Sequence, residues 1–498
     1  MLSKLKIAVK DSLVYSLGNV STKIIGLVLL PIYTKELSVA QYGILGTLEI
    51  TLQVLVAFFG FALHQAFVRW YWDKEYRDKQ KSLFFTTLSF VLASTLFMLA
   101  MLFLVADSFS TFLLGSSQYA YLLMVMVGSA AMQVIARVPL SLMRLQRKPL
   151  LFSVSNIIKL AVTLGFTVYF IVYLDRGVRG IFEAQILGFA VFFLVIALYI
   201  KRNLWFRLQL GILKEMLHYS YPLMISSIGG VLLTVADKYA VRFIGGMNDM
   251  GIYSLGFKIA NVLKVLVMNS VLPALMPLKF KMMDQPGNRR FYSKMFTYTI
   301  FGFLFFLMGI TFFSKEIVVV LAKNPSYWEA YHIIPVLCFA QLFEMMRRVA
   351  NLGLIIKKKT KIISTIMLGV AALNVMLNVL FIYLFDIIGA AIATLLSQFI
   401  FFYFILRKAQ QHYYIPYELK KVVMMTGLAI VFSVVAYFSG VLDLAPRLIL
   451  KALMIIIFPV VLYFLNFFEP IELERLKGAW HKWKNPKRWR ENLRKIKF

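Results

Sequence analysis

What this chain can fold into is decided first by the spacing of its apolar runs. They recur from Ser12 to Phe468 with short polar breaks, and each approaches the roughly 20 residues a helix needs to cross a bilayer. Hydropathy places spans at 12–34, 43–66, 82–106, 117–140, 150–174, 179–200, 218–243, 251–277, 295–322, 331–353, 362–385, 388–406, 422–440 and 446–467. Charged residues are only 15% of the chain and hydrophobic ones 60%, whereas soluble domains carry about 25% charged residues. In 498 residues that apolar excess exceeds what one soluble core encloses, so it faces lipid. The expected fold class is an all-α polytopic membrane protein with about 14 transmembrane helices.

The net charge of +31 would suggest nucleic acid in a soluble protein. Here it is an orientation signal. An even number of spans puts both termini on one side. Of 54 Lys and Arg residues, 38 lie in the termini and loops of that side, and 6 on the other: Lys35, Arg176, Arg179, Lys323, Arg447 and Lys451. Cytoplasmic loops are the ones enriched in Lys and Arg, so both termini are expected in the cytoplasm and no nucleic acid among the partners. Lys4, Lys6 and Lys10 resemble the start of a signal peptide, but the run continues to Thr34 without a small-residue cleavage site and is read as a retained first helix. The tail from Ile471 is basic and carries Trp480, Trp483 and Trp489. That composition suits a helix on an anionic leaflet, broken near Pro486.

Several function classes drop out. Cys338 is the lone cysteine and the five histidines have no ligand spacing, so no Cys-based metal site is expected. No Walker motif, zinc spacing or Ser/His/Asp arrangement is present. A polysaccharide polymerase or ligase needs a substantial outward loop, and the outward loops here are about a dozen residues at most. The chain is expected not to be an enzyme and to use no cofactor. Its work must run on a gradient, on membrane potential or on consumption of its product.

The two halves repeat. Residues 147–188 align with 358–397: Lys148 with Lys359 and Asp175 with Asp386 (offset 211), Gly180 with Gly389 (offset 209). Tyr15–Ser16 matches Tyr219–Ser220, and Gln41–Tyr42–Gly43 falls opposite Gly251–Ile252–Tyr253. Six spans per half make the repeats parallel, which puts a binding site between them near the midplane. The expected domains are two parallel six-helix lobes, 1–210 and 211–415, then two extra C-terminal helices within 416–468 and a basic cytoplasmic tail, 469–498.

The stretch LLPIYTKELSVAQYGILG (Leu29 to Gly46) carries Pro31, Tyr33, Lys35, Leu37, Tyr42 and Gly43. It resembles the first-helix end of the lipid-linked oligosaccharide flippases, the polysaccharide-biosynthesis branch of the multidrug/oligosaccharidyl-lipid/polysaccharide (MATE-like) superfamily. The resemblance implies alternating access of two lobes. The cargo would be a polyprenyl-diphosphate-linked oligosaccharide, an O-antigen, capsule or exopolysaccharide repeat unit. It also implies a multi-pass protein of the bacterial cytoplasmic (inner) membrane, with membrane lipids around it. The protein is expected as a monomer, with contact to polysaccharide polymerase machinery. A lipid II flippase and a multidrug cation antiporter of the same superfamily are the alternatives. The antiporter would favour an acidic and aromatic cavity, and this chain's intramembrane surplus is basic.

Ionisable residues within spans are costly and default to function. Lys258, Asn261 and Lys264 share roughly one helix face. In the family, the first and eighth spans line the cavity, which makes Lys23, Lys258 and Lys264 the leading candidates for a diphosphate, followed by Arg242 and Lys159. Glu49 and Gln53 sit one turn apart on the second span. Arg137, Arg347 and Arg348 lie near cytoplasmic ends and are read as snorkelling to headgroups. Asp237, Asn374, Asn378 and Thr394 form an oxygen-rich set in the C-terminal half. It is similar to a sodium site of the lipid II flippase branch, with Asn378 where that branch has Asp. Na⁺ or H⁺ coupling is the expectation, with no other metal. Ser38-x-x-Gln41 reads as a capping box. Lys35 and Glu36, on the outer side, are candidates to pair across a gate.

Overall fold

The computed structural model describes residue 26 and residues 28–474. The N-terminal half contains α1 (Leu30–Glu36), α2 (Val39–Phe59), α3 (Leu63–Trp70), α4 (Gln80–Leu104), α5 (Ala106–Leu114), α6 (Ala120–Leu145), α7 (Pro149–Val168) and α8 (Gly177–Asn203). Then follow α9 (Leu210–Ala240), α10 (Met247–Ala260), α11 (Asn269–Lys281), α12 (Asn288–Phe312), α13 (Ser314–Leu321), α14 (Ala330–Ala350), α15 (Leu352–Ile356) and α16 (Thr360–His412). The last two are α17 (Leu419–Phe438) and α18 (Leu444–Phe464). No strand occurs among the described residues, and eleven of their helical segments are long and apolar enough to cross a membrane. With no water in hydrocarbon, a helix satisfies its backbone within itself.

The 53-residue α16 covers two predicted spans, 362–385 and 388–406. Its backbone leaves helical geometry at Phe385 and Asp386, where φ reaches 51° at Asp386. α14 coincides with the predicted span 331–353. It carries Glu344, Arg347 and Arg348 and is not among the eleven. The predicted span 12–34 lies mostly outside the described residues.

The repeat seen in sequence is a repeat of backbone events. Arg147 and Lys358, 211 apart, both adopt positive φ. After each, a backbone N–H closes back on the preceding helix: Lys148 to the Met143 carbonyl and Lys359 to the Leu354 carbonyl, both at 2.8 Å. This is the left-handed helix stop that leaves no orphan carbonyl. Asp175 and Asp386 are left-handed as well, at 48° and 51°. The cores correspond too. One packs Ala136, Met143, Phe152, Phe189, Phe192 and Ile196; the other packs Leu354, Val370, Phe401, Ile405 and Ala409.

α2 and α10 meet at a seam of small residues. A Cβ on Gly43 would overlap the Met247 carbonyl, and a Cβ on Gly251 would overlap the Val39 carbonyl. Gly46 lies against Ser254. These pairs are reciprocal at an offset of 208, so Gly43 is the counterpart of Gly251, two residues away from the alignment expected above. Backbone-to-backbone approach sets that register, because it requires a missing Cβ on both helices.

By contact the chain forms two compact units, Met1–Phe280 with Ser314–Tyr414, and Lys281–Phe313 with Ile415–Phe498. In the second unit, Lys294 on α12 is held by Glu418 at 2.9 Å, Glu469 at 2.6 Å and Glu472 at 3.1 Å. Arg290 adds a bond to Glu469 at 3.2 Å and Lys421 one to Glu418 at 3.0 Å. Burial acts to raise the Glu418 and Glu472 carboxyls and is outweighed by their hydrogen bonds. These come to Glu418 from Lys294, Lys421 and Thr297, and to Glu472 from Tyr298, the Glu469 backbone and Lys294. Glu469 is lowered chiefly by its bond to Lys294.

Gly43→Ala forces overpacking at the seam and is expected to cost about 1–3 kcal/mol, read as a lower melting temperature in detergent. Gly165→Ala, which meets nothing within 4 Å, serves as the neutral control. In the second unit the three lowered carboxyls add stability above their unfolded value of 4.5. That stability is lost as pH falls below 4.5 through the lowered values. Thermal unfolding at pH 7 and pH 3.5 is expected to show this loss, and Lys294→Met to reduce it.

Candidate functional site

The residues that seal the seam are those of the Leu29–Gly46 stretch. Pro31 sits in the first turn of α1, where its missing N–H costs nothing. Ser38 and Gln41 form the capping box that starts α2: Ser38 Oγ accepts from the Gln41 N–H at 3.2 Å and Gln41 Oε1 from the Ser38 N–H at 3.0 Å. Tyr33, Leu37 and Tyr42 are buried. The Tyr327 hydroxyl donates to the carbonyls of Leu37 and Ser38 at 2.9 and 3.0 Å, and Thr34 Oγ1 to the Leu321 carbonyl at 2.9 Å. These bonds tie α1 and the start of α2 to the C-terminal half. Lys35 pairs with its neighbour Glu36 at 2.9 Å and is largely exposed. The contacts between the halves here are the glycine pairs, Tyr327 and the Thr34–Leu321 bond, which charge patterning alone did not single out.

Beneath this seal lies a cavity of about 680 Å³, walled by α2, α9, α10 and the segment after α10. Its polar lining includes Glu49, Gln53, Lys238, Lys258, Asn261 and Lys264. Lys258 Nζ bonds Glu49 Oε1 at 3.0 Å, joining α10 to α2 across the halves. The same ammonium lies 5.1 Å from the Tyr42 ring centre and 5.8 Å from that of Tyr33. The motif tyrosines thus seat the pair from above with cation–π contacts. Lys264 Nζ bonds Glu344 at 3.0 Å, and Glu344 also holds Arg348 at 2.6 Å and Arg347 at 3.9 Å. Lys238 stands 3.8 Å from Asp237 and over the Phe257 ring, and its Nζ donates to the Thr234 carbonyl at 3.2 Å.

Other candidates lie elsewhere. Lys159 packs over Phe189 and Phe192, with its Nζ 4.7 and 5.8 Å from the ring centres, inside the N-terminal core. Arg242 Nε donates to the Leu113 carbonyl at 3.1 Å, outside the cavity lining. Lys23 lies outside the described residues. Glu49 has a role that the sequence pattern did not assign to it. Its signal was an intramembrane carboxylate with no basic neighbour on its own helix face.

The oxygen-rich set lies in the C-terminal half. Asp237 is 4% exposed, Asn374 3% and Asn378 0%. Asp237 accepts from the Tyr253 hydroxyl at 2.7 Å and from the Lys238 N–H at 2.9 Å. Asn374 donates to Ser397 Oγ at 3.1 Å, and Asn378 to the Asn374 carbonyl at 2.8 Å. Both amide oxygens are buried without a hydrogen-bond partner, and Thr394 lies beside the Tyr253 hydroxyl. Orphaned buried oxygens are rare, and a donor set of carboxylate, amide and hydroxyl oxygen fits a small hard cation.

Comparison with known proteins places this geometry. A model of the family described as polysaccharide biosynthesis protein matches residues 8–283. The chain belongs to that family. No curated protein sequence matches it. Among solved structures it is similar to the lipid II flippase MurJ in an inward closed conformation. The identity is 17%, the TM-score 0.70, and the match covers 91% of this chain and 99% of that one. It is also similar to an inward-facing multidrug resistance MATE family transporter of the MOP superfamily, with 14% identity, TM-score 0.62, and 80% and 94% coverage. A third likeness is to a mutant of the Vibrio cholerae MATE transporter VcmN, with 16% identity, TM-score 0.56, and 82% and 98% coverage. The fold is the one shared by these three structures.

The Glu49–Lys258 bond is expected to be functional as a pair. Lys258→Glu and Glu49→Lys should each abolish transport, and the double charge swap should restore a measurable part of it. Export assayed in cells at matched protein levels provides the check.

Proposed function

We propose that this protein is a flippase for a polyprenyl-diphosphate-linked oligosaccharide, moving an O-antigen, capsule or exopolysaccharide repeat unit from the cytoplasmic to the outer leaflet of the bacterial inner membrane. The observation that carries the reading is the cavity between the halves, whose three lysines each stand within ion-pair distance of a carboxylate. Charges of this kind are retained in a membrane where a charged cargo must pass. A diphosphate brings about two negative charges and competes with Glu49 and Glu344 for Lys258 and Lys264. Exchange of those partners would loosen Lys258 from α2, the helix whose outer end closes the seam. Cargo binding and opening are thereby coupled through one bond.

Asp237, Asn374, Asn378 and Thr394 would hold a sodium ion, or Asp237 a proton, on the C-terminal side of the cavity. Bound charge there would bias the same helices through Tyr253, which joins α10 to Asp237. The protein is read as a monomer with both termini in the cytoplasm, in contact with polymerase machinery that consumes its product.

Lys258→Ala and Lys264→Ala are expected to leave lipid-linked glycan on the inner leaflet, measured by surface labelling of the polymer against the intracellular glycolipid pool. Continued export at normal protein levels would overturn the reading. Asp237→Asn should remove any sodium dependence of flipping in proteoliposomes, and transport indifferent to both sodium and pH would remove ion coupling. Reconstitution with lipid II in place of the oligosaccharide lipid separates the lipid II alternative.

A further inference from the structure

A second cavity, of about 370 Å³, adjoins the central one and shares Gln53 with it. It lies where the second span breaks. Phe61 and Ala62, between α2 and α3, both have positive φ, at 47° and 48°. Two consecutive left-handed non-glycine residues are costly, and such outliers concentrate at functional sites. The break brings His64 and Gln65 into the cavity wall, where they join Gln133 and Arg137 of α6, Ser227 of α9 and Gln53 of α2. The lining is thus rich in amides, with one hydroxyl, one imidazole and one guanidinium.

The repeat shows what is unusual here. At the offset of 211 that relates the helix stops after α6 and α15, Arg137 corresponds to Arg348 and Gln133 to Glu344. In the C-terminal half, Arg348 is neutralised by Glu344, one turn away, at 2.6 Å. In the N-terminal half the same position holds an amide. Among the described residues Arg137 has no carboxylate within ion-pair distance, although it is only partly exposed and its guanidinium reaches the wall beside Gly60. Every lysine of the central cavity has such a partner. A guanidinium held in a cavity between apolar helices calls for a counter-charge, and none of the described residues supplies one.

We propose that this cavity is a saccharide subsite, with Arg137 binding the acidic group of a sugar residue and the surrounding amides and hydroxyl binding the sugar's own hydroxyls. A planar guanidinium takes a phosphoryl or carboxylate group through two parallel bonds. Gln53, Gln65, Gln133 and Ser227 each offer donors and acceptors to a polyol. Cavities of roughly 300–1,000 Å³ are the size that ligands use. The acidic group is either the sugar-proximal phosphate of the lipid diphosphate or the carboxylate of a uronic acid in the repeat unit. The inference deepens the flippase reading and rests on it.

The test uses the full-length protein in nanodiscs, with ligand binding read by thermal shift and native mass spectrometry. The probes are a hexose 1-phosphate, glucuronate and neutral glucose, against the wild type, Arg137→Ala, Arg137→Lys and Gln133→Ala. Stabilisation by the sugar phosphate or by glucuronate, but not by glucose, is expected. The preferred probe names the source of the charge. Arg137→Ala should weaken that binding at least tenfold, Gln133→Ala by about threefold, and Arg137→Lys by an intermediate amount. Gln133→Glu recreates the C-terminal pairing and should abolish acid-sugar binding while keeping the melting temperature of the unliganded protein. Equal response to all three probes, or wild-type binding in Arg137→Ala and Gln133→Glu, overturns the subsite. Should the flippase reading itself fail, the two lysine variants would leave export normal while acid-sugar binding persists. Should only this inference fail, those variants would block export and Gln133→Glu would not.

Discussion

A charge in hydrocarbon needs a partner, and the arrangement of this protein follows from that requirement. The Glu49–Lys258 bond joins the two halves of the chain and, among the described residues, is where each contributes a charged side chain to the cavity. Its position is set by packing above it. Glycine on both helices lets α2 and α10 approach backbone to backbone, and Tyr42 and Tyr33 fill the space over the ammonium. Remove the close approach and the two charges separate. Below the seam, Thr51 with Tyr239 is a second polar link between the halves, and it carries no charge.

The same requirement explains how two halves with shared backbone features carry different chemistry. The halves share helix stops, left-handed aspartates and corresponding cores. They differ in where cations sit and how these are neutralised. Phe192 and Phe401 occupy corresponding core positions, yet the cation stacked on the first is Lys159 of α7 and on the second Arg347 of α14. Glu344 gathers Lys264, Arg347 and Arg348 in one half, while Gln133 leaves Arg137 to the cavity in the other. The backbone is thus repeated between the halves while the charge is not.

Much of this was legible in the sequence. Apolar runs of span length marked the helices, because a bilayer sets that length whatever the neighbours are. The offset of 211 between Lys148 and Lys359 located real backbone equivalences, since each lysine follows a left-handed helix stop. The Ser38–Gln41 capping box was equally readable, being a contact within four residues. The site was only partly readable. Lys258 and Lys264 line the cavity as the family resemblance implied, while Lys159 and Arg242 turn to aromatic rings and a carbonyl. Helical spacing says which residues share a face and is silent on what that face meets.

Composition and local order were enough to set the membrane class, the helical content, the repeat and the side on which positive charge gathers, because each depends on short stretches of chain against a slab of lipid of given thickness. Which charges pair was settled by the packing of distant helices. Packing set Glu49 against Lys258 across 209 residues and Glu344 against Lys264. Those pairings depend on distances between helices far apart in the chain. The helices are held by backbone contact at two glycines, and a list of residues does not contain that contact.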